Sequence, residues 1–439
     1  MNRHILATAT AALLGGTGLV TPALAETTVR LQGPGFKPGA PSCYIEGTAA
    51  DPFGPFPARA AGSPRGPAPP PAPDGSNTAN VPPGGNGIGP DGIPPRCAHS
   101  PICQDTGTRF GGVTDGVARV AWKPVTKWAY SYPFQLPPGG GDVTGVGIDA
   151  KDNAWVWERS KPGQPALFKF GPDKKLLFAV PAELTDQSMP FRGHGMCVNS
   201  RTGSAIVLKQ FGAVAKQFGS DGKLIRTIGI KGHRGDWDET KSQRLLWEPV
   251  TCAFAPNDDL YIFEGHGDES PNDIASSDPT NQIGVARVLH LDKDGKFINQ
   301  WYGNDRGPGK FNSAHGSAID PVTGDVWVGD REDFRIAIYT ANGHFLRSIQ
   351  MRNLICALYF DNHPGPRFGT VWLATGMDGQ VVRIDREGHV LEVAGGNHKG
   401  GAEGQFNEAT NMTSDSKGNL MVADTQEPRA TWLSAALRK

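Results

Sequence analysis

From Val143 onward, apolar and polar residues alternate in short runs that break at turn dipeptides. VTGVGIDAKDNAWVWERS (143–160) reads as one run, a polar turn and a second run, and ALFKFGPDKKLLFAV (166–180) continues it. Alternation with a period of two is the mark of a strand, and the Asp, Asn and Gly clusters between runs mark turns. The same unit returns at 194–229, 249–303, 311–351, 354–395 and 410–425. In the fourth copy, FNSAHGSAIDPVTGDVWVGDREDFRIAIY (311–339), loop, strand, turn, strand, charged loop and strand follow one another.

Aligning the ends of the second strands places Glu158, Lys209, Glu264, Asp330, Thr375 and Asp424 at one position, 45 to 66 residues apart. That spacing suits blades of four strands each. The late D-G, N-G or E-G turn found in most copies suits a hairpin of the outer two strands. The sixth copy lacks a strand. The segment 118–135 is placed to supply it, which would close the ring and remove exposed edges. The expected fold is therefore all-β: a six-bladed β-propeller over 112–439, preceded by a Pro/Gly-rich extension.

The beginning of the chain has a different texture. Arg3, the apolar run Ile5–Val20 and the A-x-A-like end at Ala25 predict a secretory signal peptide over 1–25. The run is too short and too Gly-interrupted for a membrane span. The expected location is periplasmic or secreted. Residues 26–111, which include PAPPPAPDG, carry few apolar side chains to offset ordering entropy and predict an arm or linker. With 38% hydrophobic residues and a net charge of -1, the composition gives no reason to expect nucleic acid as a partner. Six cysteines in an exported chain predict disulfides, with three at 43, 97 and 103 and three at 197, 252 and 356. Fifteen full pairings are open.

The blade signature, clearest where H-G-S-A is followed by V-G-D-R-E-D-F-R-I, resembles an NHL repeat. Within that group, residues 140–425 are similar to peptidyl-α-hydroxyglycine α-amidating lyases. The resemblance implies cleavage of a carbon–nitrogen bond at a channel zinc held by three His from alternate blades, with calcium also in the channel. It further implies an Arg that holds the substrate and a Tyr base. Carried over, His194 and His315 fall on two zinc positions and Arg159 on the Arg. The third zinc position is Thr410, and the Tyr position is His266.

Zinc favours imidazole, and a catalytic site takes three protein ligands with one position open. The third ligand is then expected at Glu408, two residues before Thr410, or at a channel acid such as Asp424. Arg159 and Arg331 are candidates to bind a substrate carboxylate in bidentate fashion. His266 is a candidate general base, since imidazole titrates near neutrality. The bland alternatives are hydrogen bonds among the His and a structural ring of ion pairs. The acidic insert 264–282 reads as a solvated loop with calcium as the functional alternative. Two functions follow: a metal-dependent lyase acting as a monomer on a small or peptide-like hydroxy substrate, or a non-catalytic propeller that binds a ligand or partner protein at its channel face.

Overall fold

The computed structural model describes residues 128–434 apart from 139, 186–192, 211, 266–285, 304–310, 312, 332–334, 351–354, 362–367, 376–378, 387, 389, 396–403 and 426. The signal peptide, the arm, His266, and Cys43, Cys97 and Cys103 lie outside the described residues.

Six four-stranded antiparallel sheets form a six-bladed propeller. The innermost strands are Val143–Ile148, Met196–Val198, Pro249–Phe254, Ala318–Ile319, Ala357–Phe360 and Ala409–Ser414. Each touches the next, and the last touches the first. In five blades the four strands follow one another along the chain. The sixth takes its outermost strand from the front of the propeller, where Ala129–Ser131 pairs with Ala430–Ser434 in the register Ala129↔Ser434, Tyr130↔Leu433 and Ser131↔Trp432. This is the closure expected of the 118–135 segment, made by three of its residues. One short extra pair, Trp237–Asp238 with Gln243–Arg244, lies between blades two and three.

Burial explains the strand composition. The second strand of every blade is buried along its whole length, as in Ala154–Glu158 and Val326–Asp330, because a neighbouring blade covers each face. Such strands read as continuous apolar runs. The fourth strands are half open to solvent and mix apolar with polar residues, as in Leu224–Gly229. Trp155, Trp157, Trp327 and Trp372 fill the space between blades and are fully buried. The turns obey their residue chemistry. Asp149, Asp320 and Asp415 each follow an inner strand, and each accepts two backbone N–H groups of its own turn through Oδ1. Gly222, Gly295 and Gly343 supply the positive φ that the outer hairpins require.

A disulfide between Cys197 and Cys252 ties the inner strands of blades two and three. Cys356 is buried in blade five. Among the described residues no helix is long and apolar enough to cross a membrane.

Side-chain contacts add to the strand pairing at the closing seam. Trp128 packs edge-on against Trp372, with ring centroids 5.9 Å apart, and the Tyr130 hydroxyl accepts a hydrogen bond from Gly395 N at 2.8 Å. Trp128→Ala is expected to cost about 3 kcal/mol, and Tyr130→Phe about 1 kcal/mol. Denaturant melts followed by tryptophan fluorescence check both.

Candidate functional site

The two candidate histidines stand just before inner strands of alternate blades, two and four. Their backbones extend the ladders: His194 N bonds to Leu208 O, and His315 N to Gly329 O. Each is followed by a glycine, and the packing shows why. A Cβ on Gly195 would sit 2.4 Å from Val250 O, and one on Gly316 would sit 2.5 Å from Ala357 N. The next blade's inner strand passes there, so only hydrogen fits. The H-G pair is thus a condition for bringing a His-bearing strand against its neighbour.

The rings are brought together at the channel mouth. Their centroids are 5.0 Å apart and their planes cross at 73°. His194 Nδ1 lies 3.0 Å from Val250 O, and His315 Nδ1 lies 3.0 Å from Cys356 O. A carbonyl only accepts, so both Nδ1 atoms carry the proton, and in the neutral rings the lone pair is on Nε2. Val250 is the extra residue where the register of blade three's inner strand shifts between Pro249 and Thr251. A bulge of this kind re-aims backbone groups.

This arrangement fits half of a metal centre. Ligating imidazoles commonly donate their second nitrogen to a carbonyl, which fixes the tautomer. Zn–N bonds of about 2.0–2.1 Å at a tetrahedral angle put two ring centroids about 5 Å apart. The same spacing also suits an edge-on aromatic contact. The expected third ligand is placed differently. Glu408 is buried, and its Oε1 accepts from Arg331 at 3.2 Å across blades four and six. Its backbone N bonds to Asp424 Oδ1 at 2.9 Å. Among the described residues no three of His, Cys, Asp and Glu group as metal ligands. So His194 and His315 come together, while the expected set of His194, His315 and Glu408 does not form. The reason is electrostatic: a buried guanidinium needs a carboxylate, and Glu408 is within its reach.

The two arginines differ in access. Arg159 donates from Nε to Gly193 O at 3.0 Å, next to His194, and lies 3.8 Å from Asp142. Its side chain is 26% exposed, against 3% for Arg331. Arg159 is therefore placed to meet a solute, and Arg331 serves the Glu408 pair.

The acids at the second-strand ends do a structural job. Trp247 N bonds to Glu264 Oε1 at 2.7 Å, Ser313 N to Asp330 Oδ1 at 3.2 Å and Asn407 N to Asp424 Oδ2 at 2.7 Å. Each acid thus pins the loop that enters its own blade. In blades three and four an arginine from the third strand completes the set: Arg287 on Glu264, and Arg335 on Asp330 at 2.8 Å. Glu264 and Asp330 thus each sit in an ion pair within their own blade.

Blade one breaks the rule. Ala166 stands where the arginine would be, and Glu158 N bonds to its carbonyl. The Glu158 side chain is buried, and its Oε2 has no hydrogen-bond partner among the described residues. Ser160 Oγ lies 2.5 Å from Glu158 Oε1 and 2.7 Å from Pro165 O. One hydroxyl proton cannot serve both contacts. With Glu158 protonated, its O–H donates to Ser160 Oγ, and the Ser160 O–H donates to Pro165 O. Burial accordingly pushes the carboxyl up to about 7, against the lowering contact with Ser160. Sequence reasoning grouped Glu158 with the other acids. The alanine at 166 was the signal that sets it apart.

No family model matches the chain. Over 132 residues it is 27% identical to NHL repeat-containing protein 3 of Mus musculus, a stretch that is 29% of this chain and 32% of that protein. The chain therefore spans about a third of the length of that curated relative. Among solved structures it is similar to a gluconolactonase of Xanthomonas campestris, with a TM-score of 0.49, 15% identity, and coverage of 71% of this chain and 90% of that one. It is also similar to a streptogramin B lyase, with a TM-score of 0.46, 11% identity, and coverage of 70% and 97%. These likenesses concern the fold, which the strand order above establishes by itself.

Two outcomes are expected. Since the Glu158 carboxyl is raised from the ordinary 4.5 to about 7, its contribution to stability is full below about 4.5 and is lost as pH rises through 7. The loss is roughly 3 kcal/mol at most. Glu158→Gln should flatten the stability profile between pH 4.5 and 7, read by denaturation at a series of pH values. Gly316→Ala should displace His315 and destabilise the protein by about 2 kcal/mol or more through overpacking, read by the same melts.

Proposed function

We propose that this protein is an exported propeller that binds a transition metal, zinc foremost, on His194 and His315, and acts as a lyase on a small or peptide-like hydroxy substrate bearing a carboxylate. The observation that carries the reading is the pair of imidazoles with both Nδ1 atoms held on carbonyls and both lone pairs on Nε2. The residues' own parts are as follows. Val250 and Cys356 fix the tautomers through their carbonyls. Gly195 and Gly316 let the His-bearing strands approach. Arg159, oriented by Gly193 O, binds the substrate carboxylate at the mouth and sets its distance from the His pair. A bound zinc would supply Lewis-acid polarisation of a substrate oxygen. The NHL likeness and the partial match of His194, His315 and Arg159 to the amidating-lyase pattern support this reading.

A second reading is favoured by one observation: Thr410 and the Arg331–Glu408 pair stand where the lyase pattern has its third ligand. On that reading the mouth is a non-catalytic binding face for a ligand or partner protein.

Metal analysis of protein purified without chelator separates the two. About one equivalent of zinc, lost in the His194→Ala, His315→Ala double variant, is the expected result. Arg159→Ala should then keep the metal and weaken α-hydroxyglycine peptide turnover by about a hundredfold, mainly in KM. A wild type that stays metal-free after reconstitution with zinc overturns the lyase reading.

A further inference from the structure

The channel has a second end with different chemistry. A cavity of about 540 Å³ opens where the inner strands finish, and all six contribute to its wall. It stops at Val146, Met196 and Asn411, and neither His194, His315 nor Arg159 lines it. Its volume is that of a small-molecule site.

The wall can form many hydrogen bonds and carries no surplus charge. Each inner strand lies at the end of its sheet and pairs only with its own second strand. Its other edge, a row of backbone N–H and C=O groups, turns toward the axis. Asn411 demonstrates that these groups take side-chain partners: its Oδ1 accepts from Val146 N at 2.9 Å, and its amide donates to Met196 O at 3.3 Å. Hydroxyls add to the edge. Ser317 and Thr251 line the cavity, and Tyr359 does so with its hydroxyl 2.9 Å from Ser414 Oγ. Thr251 is only 8% exposed. The charged residues in the wall are Asp149, Arg201 and Asp258. All three are satisfied. Asp149 holds its own turn and lies 3.5 Å from Lys169, and Asp258 binds both Arg201 and Asn199. Phe368, 44% exposed, adds an apolar ring to the lining.

We propose that this cavity is a binding site for an uncharged polyhydroxylated ligand, a neutral mono- or disaccharide. A neutral sugar presents alternating donors and acceptors to strand edges and threonine or serine hydroxyls, and one apolar ring face to Phe368. A charged solute would find no free counter-charge and would lose hydration on entry. The site is independent of the histidine mouth and of the reaction proposed there.

The test is titration calorimetry of the full mature chain with D-glucose, D-galactose, N-acetylglucosamine and maltose, alongside glucuronate and glucose 6-phosphate. Saturable one-site binding of at least one neutral sugar, and weaker or no binding of the charged pair, is expected. Thr251→Val and Phe368→Ala should each weaken binding about fivefold or more without lowering Tm appreciably. His315→Ala should leave it unchanged. No saturable binding of any neutral sugar to the wild type overturns the proposal. So does equal or tighter binding of the charged pair, and so does binding that Thr251→Val spares and His315→Ala removes.

Discussion

The innermost strands pair on one side only, and the rest of the structure follows from that constraint. Six sheets arranged about an axis bring their innermost strands so close that backbone meets backbone. Glycine is required where a Cβ would strike the next strand, as at Gly195 and Gly316. A ring built this way also needs its last gap closed. The three-residue strand Ala129–Ser131 closes it by completing the sheet that holds Ala430–Ser434. The seam joins two distant parts of the chain, so the positions of all six inner strands, and of the two histidines, depend on it.

A second regularity acts one strand farther out. An acid at the end of the second strand pins the entering loop and, in blades three and four, neutralises a buried arginine. The blade-one copy keeps the acid and loses the arginine. A buried carboxyl without a cation is cheaper neutral than charged. Burial accordingly raises Glu158 to about 7 with no cation beside it, whereas Glu264, which burial also raises, has Arg287 beside it as a lowering contact. Arg159, the next residue, turns outward to the channel mouth. The same blade that lacks the internal ion pair thus presents the accessible guanidinium.

The two ends of the axis have opposite character. At the strand starts, imidazoles and a solvent-facing guanidinium gather, which is chemistry for a metal and an anion. At the strand ends, backbone edges and hydroxyls gather with every charge compensated, which is chemistry for a neutral polar molecule. Both arise from one repeated unit, because only the residues at its two ends vary from blade to blade.

Sequence alone determined the blade count, the succession of strand–turn–strand units and the need for a borrowed strand. Those depend on local alternation and turn residues, such as Asp149, Asp320 and Asp415, which act within a few residues. It also singled out His194 and His315, which the resemblance to the amidating lyases places on zinc positions and which begin inner strands two blades apart. Tertiary structure decided what the long-range contacts control. It paired Cys197 with Cys252. It gave Glu408 to Arg331 rather than to the histidines. It left Arg159 open and Arg331 buried, and it separated Glu158 from the acids it resembles. The cysteine pairing and the Arg331–Glu408 pair depend on which side chain of another blade comes within reach, where hydrogen bonds and ion pairs are made or lost, whereas Glu158 is set apart inside its own blade, where Ala166 stands in place of an arginine.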